Sequence, residues 1–440
     1  MKTPICDFVK EYGKSGFVRA HMPGHKGVGD MEHLDITEIT GADSLYDADG
    51  IIKESEKNAG ELFGADTFYG VEGSSQCIKA MLYLACVYGE KRGEKPIILA
   101  ARNVHKAFIS AAALIDFQVA WLCPEDNKGY LSCIITPEAV EKSILKNKPT
   151  AVYITSPDYL GNIQDVRGIG AVCKKYNVPL LVDNAHGAYL KFLPKSAHPM
   201  DLGATICTDS AHKTLPVLTG GAYLHINKTA PCAFKENAKE AMALFGSTSP
   251  SYLILQSLDK ANVYLETHKI RLGGFLPKIK ALKEKLLEMG FALVGDEPLK
   301  ITVDAKKFGY SGEALAKELL KNGIMCEFAD KDYTVLMLTQ ENSGDIELIL
   351  KAFESVEKRP EIKEISPIPS LPQRAMDIKI AIFSISETIP AEKSEGRVMA
   401  DCSVGCPPAV PIAVSGEIIN KSAIECYKYY GIDKIKVVKE

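Results

Sequence analysis

The string Asp209-Ser210-Ala211-His212-Lys213-Thr214 lies between a short β-branched run and the pair Gly220-Gly221. Lys213 offers an amine for a Schiff base with an aldehyde, Ser210 and His212 offer donors for a phosphate, and the glycines let backbone pass close by. Together these are the requirements of pyridoxal 5'-phosphate (PLP). Alone the string is a weak signal, because most lysines are solvated surface groups. Upstream, Leu180-Leu181-Val182-Asp183-Asn184-Ala185-His186-Gly187 reads as a buried strand ending in an acid, and α/β folds place ligand groups at such strand ends. Asp183 is positioned there to face a pyridinium nitrogen and keep it protonated, which makes the ring an electron sink. The plainer reading is an Asp that caps the following turn.

Gly70-Val71-Glu72-Gly73-Ser74-Ser75 precedes an apolar-periodic stretch over 76–88. Small donors and free amides therefore fall at a helix start, which makes either an anion site or ordinary serine capping. Arg102-Asn103-Val104-His105-Lys106 follows the apolar run 96–101 and places His105 past another strand end, where an imidazole can stack on a flat cofactor or merely cap. The four sites run in the order phosphate loop, His105, Asp183, Lys213. That order argues against coincidence more strongly than any one string.

Seven strings share a further pattern: R-A-H-M-P-G-H-K-G at 19–27, G-S-S at 73–75, R-N-V-H-K at 102–106, S-P-D-Y-L-G at 156–161, D-N-A-H-G at 183–187, S-A-H-K-T-L at 210–215 and S-T-S-P-S-Y at 247–252. In these the chain resembles the major domain of the Orn/Lys/Arg decarboxylase family. These are PLP enzymes of the aspartate-aminotransferase fold type (fold type I), and the match is to the compact bacterial branch lacking an N-terminal receiver-like domain. The resemblance implies that Lys213 is the Schiff-base lysine, Asp183 pairs with the ring nitrogen, His105 stacks on the ring and Ala185 packs its other face. It places Gly73, Ser74, Ser75, Ser210 and His212 at the phosphate and His186 near the ring 3-hydroxyl. Ser247, Thr248 or Ser249 would reach the phosphate of a neighbouring protomer, since the fold type builds its site across a homodimer interface. The implied reaction is decarboxylation of a basic L-amino acid, arginine before lysine or ornithine, giving agmatine, cadaverine or putrescine for polyamine metabolism. No metal is implied. A distal substrate cation calls for a carboxylate or carbonyls, with Glu417 and Asp158 as candidates.

Three departures bear on the pocket. Asn184 replaces the acid of the family's D-E-A-H-G, Cys406-Pro407-Pro408-Ala409-Val410-Pro411 loses an aromatic while Glu417 is kept, and Gly220 stands where Gln is expected. The same Lys-plus-Asp set also serves aminotransferases and elimination enzymes, for which Arg397 is in the right region to clamp a substrate carboxylate. A PLP-binding regulator without turnover is the third reading.

The elements that must position these residues alternate along the chain. Apolar runs at 96–101, 119–123, 151–155, 180–183, 204–208 and 222–226 alternate with helical stretches such as 76–88 and 165–176. This predicts an α/β major domain with a mostly parallel sheet over 1–268, including the N-terminal segment. A long helix is expected from 252 to about 268. Helices at 277–289 and 312–320 with strands at 299–303, 324–328 and 333–338 predict a small α+β domain over 269–358. A Pro-rich linker at 359–374 leads to a C-terminal domain at 375–440, with a helix at 416–430 and a short strand. At 440 residues, two or three units are expected.

Hydrophobic content of 46% and charged content of 25% are ordinary globular values, and the net charge of −4 without a basic run argues against nucleic acid. No apolar stretch approaches the roughly 20 residues of a membrane span and no signal-peptide core is seen, so a cytoplasmic protein is expected. The 12 cysteines form no C-x-x-C pair, which favours reduced thiols over disulfides or zinc. Gly13-Lys14-Ser15 and Gly168-Ile169-Gly170 are incomplete nucleotide motifs.

Overall fold

The computed structural model describes residues 1–88, 95–124, 129–401 and 409–440. Thirteen strands are assigned among them: β1 (Asp66–Gly70), β2 (Ile97–Ala101), β3 (Gln118–Leu122), β4 (Ala151–Thr155), β5 (Leu180–Asp183), β6 (Ile206–Asp209), β7 (Ala222–Ile226), β8 (Ala292–Val294), β9 (Lys300–Asp304), β10 (Phe328–Ala329), β11 (Tyr333–Met337), β12 (Ser386–Pro390) and β13 (Lys434–Val438). Two compact units divide them. The first comprises Met1–Glu94, Lys148–Ser156 and Val166–Arg271; the second comprises Lys95–Asn147, Pro157–Asp165 and Leu272–Glu440.

In the first unit the strands lie in the order β1-β7-β6-β5-β4. Pairs β4–β5 and β5–β6 are parallel, while β6–β7 and β7–β1 are antiparallel. Every residue of β5, β6 and β7 is buried, as expected of strands covered on both faces, and the polar residues among them, Asp183, Thr208, Asp209 and His225, are buried with the rest. The register sets Asp183 opposite Thr208, so the C-terminal ends of β5 and β6 finish side by side. That register, more than any single contact, brings the Asp183 loop to the Lys213 turn. Five tyrosines, Tyr69, Tyr153, Tyr189, Tyr223 and Tyr252, are almost completely buried around the sheet.

The second unit holds the parallel pair β2–β3, the antiparallel sheet β10-β11-β9-β8 and the antiparallel ribbon β12–β13. Its α+β part packs the helix Gly312–Lys321 through Leu315 and Leu319. Ser311 caps that helix by accepting from Ala314 N–H. Phe291 stacks on Phe308 with centroids 3.8 Å apart and meets Phe353 edge-on.

Three expected boundaries move for identifiable reasons. The strand expected at 324–328 shrinks to β10, because Gly323 turns left-handed and Ile324 N–H closes the preceding helix on Leu319 O. The C-terminal helix starts at Lys421 instead of 416: Gly416 is left-handed, and Asn420 caps the helix by accepting from Ala423 N–H. Pro277, read as a helix start, lies inside His268–Glu288, where its missing N–H leaves the Gly273 carbonyl without the usual helical donor.

Candidate active site

Lys213 stands in the one-turn helix Ala211–Thr214 that follows β6, and its Nζ lies 2.9 Å from His186 Nε2. Asp183, at the end of β5, is 2% exposed; its Oδ2 accepts from Tyr153 OH at 3.1 Å and its Oδ1 from Ala185 N–H at 3.2 Å. Burial pushes this carboxyl up, and the Lys213 cation pulls in the opposite direction. A cation brought against Asp183 would therefore stabilise its charged form, which suits a protonated ring nitrogen. Asn184 turns inward, and its Oδ1 occupies the space where a Cβ on Gly187 would sit, only 2.1 Å away. Glycine at 187 is thus required by a close approach.

The donor set for a phosphate gathers a few residues away. Ser210 Oγ donates to Ser74 Oγ at 2.7 Å, and Ser74 and Ser75 open the 15-residue helix Ser74–Tyr88. Gly73 is left-handed, and a Cβ there would stand over the helix start, 4.0 Å from Ser75 N. Gly73 N–H donates to Gly220 O at 2.7 Å, and His212 Nδ1 lies 3.0 Å from Gly221 O. A Cβ on Gly220 would meet Val71 O at 2.8 Å, so the Gln-to-Gly departure coincides with a close backbone crossing. Hydroxyls, helix-start amides and an open glycine fit a phosphate. With the buried carboxylate and the amine, the first unit brings together Lys213, Asp183, Ala185, His186, Ser210, His212 and Gly73 to Ser75.

His105 belongs to the second unit, where it caps the helix Lys106–Ile115 by accepting from Ala107 N–H at 3.1 Å. Glu417 is paired with Arg102 Nη2 at 3.0 Å and accepts from Val414 N–H at 2.7 Å; Arg102 also lies over the Trp121 ring. Asp158 Oδ1 is filled by Leu160 N–H, Asn162 N–H and Asn162 Nδ2. Both acids suggested for a distal cation therefore carry internal partners. Arg397 is held by Glu387 at 2.7 Å and Glu440 at 3.0 Å. In the N-terminal motif, Tyr12 OH and His21 Nε2 are 2.6 Å apart and His25 faces Asp35 at 3.3 Å. Ser247 N–H donates to Glu72, and Ser247 Oγ accepts from Ser249 N–H at 3.1 Å. Cys402, Cys406, Pro407 and Pro408 lie outside the described residues; Ala409 is left-handed and buried. Ten of the cysteines are free thiols.

Sequence reasoning missed Tyr153, a core tyrosine whose hydroxyl reaches Asp183, and the buried group Asp209, His198 and His225. The available signal was the alternation in β6, which puts Cys207 and Asp209 on one side of the strand, and a polar His225 within an otherwise apolar run.

A strand-end lysine and acid on a sheet of this order define the fold-type-I class of PLP-dependent enzymes. The solved lysine decarboxylase of Francisella novicida shares the fold with a TM-score of 0.82 over 99% of this chain and 81% of its own, at 18% identity. The chain belongs to the Orn/Lys/Arg decarboxylase family, whose major-domain model matches residues 3–286. The arginine decarboxylase of Halalkalibacterium halodurans is 31% identical over 96% of this chain and 92% of its own. That of Bacillus subtilis is 28% identical over 98% and 94%. The protein is a PLP-dependent amino-acid decarboxylase. Among the described residues no helix is long and apolar enough to cross a membrane.

Proposed function

We propose that the protein decarboxylates L-arginine, with lysine and ornithine the next candidates, and feeds the amine into polyamine metabolism as a cytoplasmic homodimer whose site is completed at the interface. The observation that carries the reading is the Lys213 amine 2.9 Å from His186 Nε2, at a strand end beside the buried Asp183. The order of basic amino acids follows the relatives named arginine decarboxylase, which align with nearly the whole chain.

Bound PLP supplies the sink for the electron pair left at Cα when CO₂ departs. Lys213 provides the amine that ties the cofactor and, with His186 at hydrogen-bond distance, moves a proton at its Nζ. Asp183 holds a proton at the ring nitrogen, and Tyr153 and the Ala185 amide fix the orientation of its carboxylate. Ser74, Ser75, Ser210 and His212 with Gly73 would hold the phosphate, and Ala185 would pack against a face of the ring. An aminotransferase would need a free arginine for the substrate carboxylate, and Arg397 is committed to Glu387 and Glu440.

The test is amine and CO₂ production by PLP-loaded protein from arginine, lysine, ornithine and aspartate without a keto acid. Agmatine with equimolar CO₂ is expected. Activity that appears only after a 2-oxo acid is added would replace this reading with transamination.

A further inference from the structure

The last residue of β6, Asp209, is completely buried together with His198 and His225. Its Oδ2 accepts from His198 Nε2 at 2.9 Å and His225 Nε2 at 3.1 Å, and its Oδ1 accepts from Asn184 Nδ2 at 2.6 Å. The far ring nitrogens set the tautomers. His198 Nδ1 accepts from Met200 N–H at 3.3 Å, and His225 Nδ1 lies 2.8 Å from Thr67 Oγ1, a hydroxyl able to donate. Both rings can then be neutral and present N–H to one carboxylate, giving a single buried anion with three donors. Burial by itself pushes the Asp209 carboxyl up, but the two imidazoles outweigh it and hold the group well below the usual carboxylate range. Burial pushes His225 down, in keeping with a neutral ring.

A buried charge is costly unless its lone pairs are filled, and here three donors fill them. This one joins the segments that carry the candidate active site. Asn184 is the neighbour of Asp183 and lies two residues before His186, while Asp209 itself lies four residues before Lys213. His225 adds β7, and Thr67 adds β1.

We propose that Asp209, gripped by His198 and His225, is a positioning residue: by holding Asn184 it fixes the Asp183 carboxylate and the His186 imidazole against the turn that carries Lys213. The proposal rests on the reading of Lys213 and Asp183 given above. It also accounts for Asn184. An acid at that place would set two carboxylates against one another at 2.6 Å, whereas an amide donates. The charged groups acting on this region include Asp183, Lys191, Asp201, Lys213 and Asp259. The Cys77 and Cys207 thiols and the Tyr223 phenol, all pushed up by burial, stay neutral.

The experiment compares PLP-loaded Asp209→Asn and Asn184→Ala proteins with the native enzyme, with Cys173→Ala, a buried thiol of the helix Val166–Lys175 outside the cluster, as a control. Cofactor dissociation constant, the pH midpoint of the visible cofactor band, kcat and KM are measured. Both variants should keep the band and bind cofactor about tenfold more weakly, the size of one lost buried hydrogen bond. The band midpoint of Asp209→Asn should fall, because a nearby cation loses a buried anion. In both variants kcat should fall by a larger factor than KM rises. Cys173→Ala should lower Tm and leave cofactor binding and the midpoint unchanged. Native cofactor affinity and midpoint in a folded Asn184→Ala protein would overturn the proposal, even if Asp209→Asn does not fold. An equal effect from Cys173→Ala would also overturn it, as would one equivalent of zinc in the purified enzyme, since His198, Cys207 and Asp209 offer ligand atoms within 4.8 Å of one another. Loss of the band in Lys213→Ala separates this outcome from failure of the underlying reading, which that variant tests by itself.

Discussion

At Lys213 and Asp183 one substitution each separates binding from chemistry. Lys213→Ala should lose both the visible Schiff-base absorbance and turnover, and a retained band would place the amine elsewhere. Asp183→Asn should keep the band, because the amine is intact, while turnover falls about 10- to 1000-fold. An adjacent opposite charge moves a partner's protonation by about one to three pH units, and the amide would no longer hold a proton on the ring. Single-turnover CO₂ release against pH would show this. The sequence made both residues legible because each sits at a strand end within a short string whose chemistry is specific. Asp209 was not legible in the same way, since an acid closing a β-branched run looks the same whether it caps a turn or anchors two imidazoles. Only the folded chain brings those rings to it: the register sets Cys207 against His225, and His198 comes from the cap of the helix Pro199–Leu202.

Elements were most legible where burial is complete. Strands β4, β5 and β7 occupy the residues expected from their apolar runs, whereas β1 was not anticipated, because Asp-Thr-Phe-Tyr-Gly is short and carries polar and glycine residues. Left-handed glycines account for the shortened β10 and for the late start of the C-terminal helix, since that backbone cannot be read from periodicity. The loop after β5 offers a direct test. Gly187→Ala would thrust a Cβ to 2.1 Å from Asn184 Oδ1 and 2.8 Å from Leu190 Cδ1, so the loop must yield. A destabilisation of about 1–3 kcal/mol is expected in urea unfolding, accompanied by weaker cofactor binding. Unchanged binding would show that the loop moves without disturbing Asp183.

For the whole molecule, the division into 1–268, 269–358, 359–374 and 375–440 stands as a proposal for the evolutionary parts. The two compact units are each built from three separate stretches of chain, an interleaving that a linear reading of composition does not reveal. Stability should depend on pH through Asp330 in the second unit. Its Oδ1 accepts from Asp332 and Tyr333 N–H at 2.7 Å each, its Oδ2 is buried without a partner, and burial pushes the carboxyl up to about 6. The folded protein keeps this proton to about pH 6, while the unfolded chain releases it near pH 4. The contribution is therefore full below about pH 4 and lost as pH rises through 6, at most about 3 kcal/mol. Asp330→Asn should be about 1–2 kcal/mol more stable than native at pH 7.5 and equal to it at pH 4. Denaturant midpoints at the two pH values decide this.

The antiparallel pairing of β1 with β7, Asp66 against Ile226 and Gly70 against Ala222, sets a schedule for synthesis. Some 150 residues must leave the ribosome after β1 before its partner exists, on the order of ten seconds at about 5–20 residues per second. Throughout that interval the edge of β1 has no native neighbour and is open to pairing with another copy, a hazard that its length of only five residues keeps small.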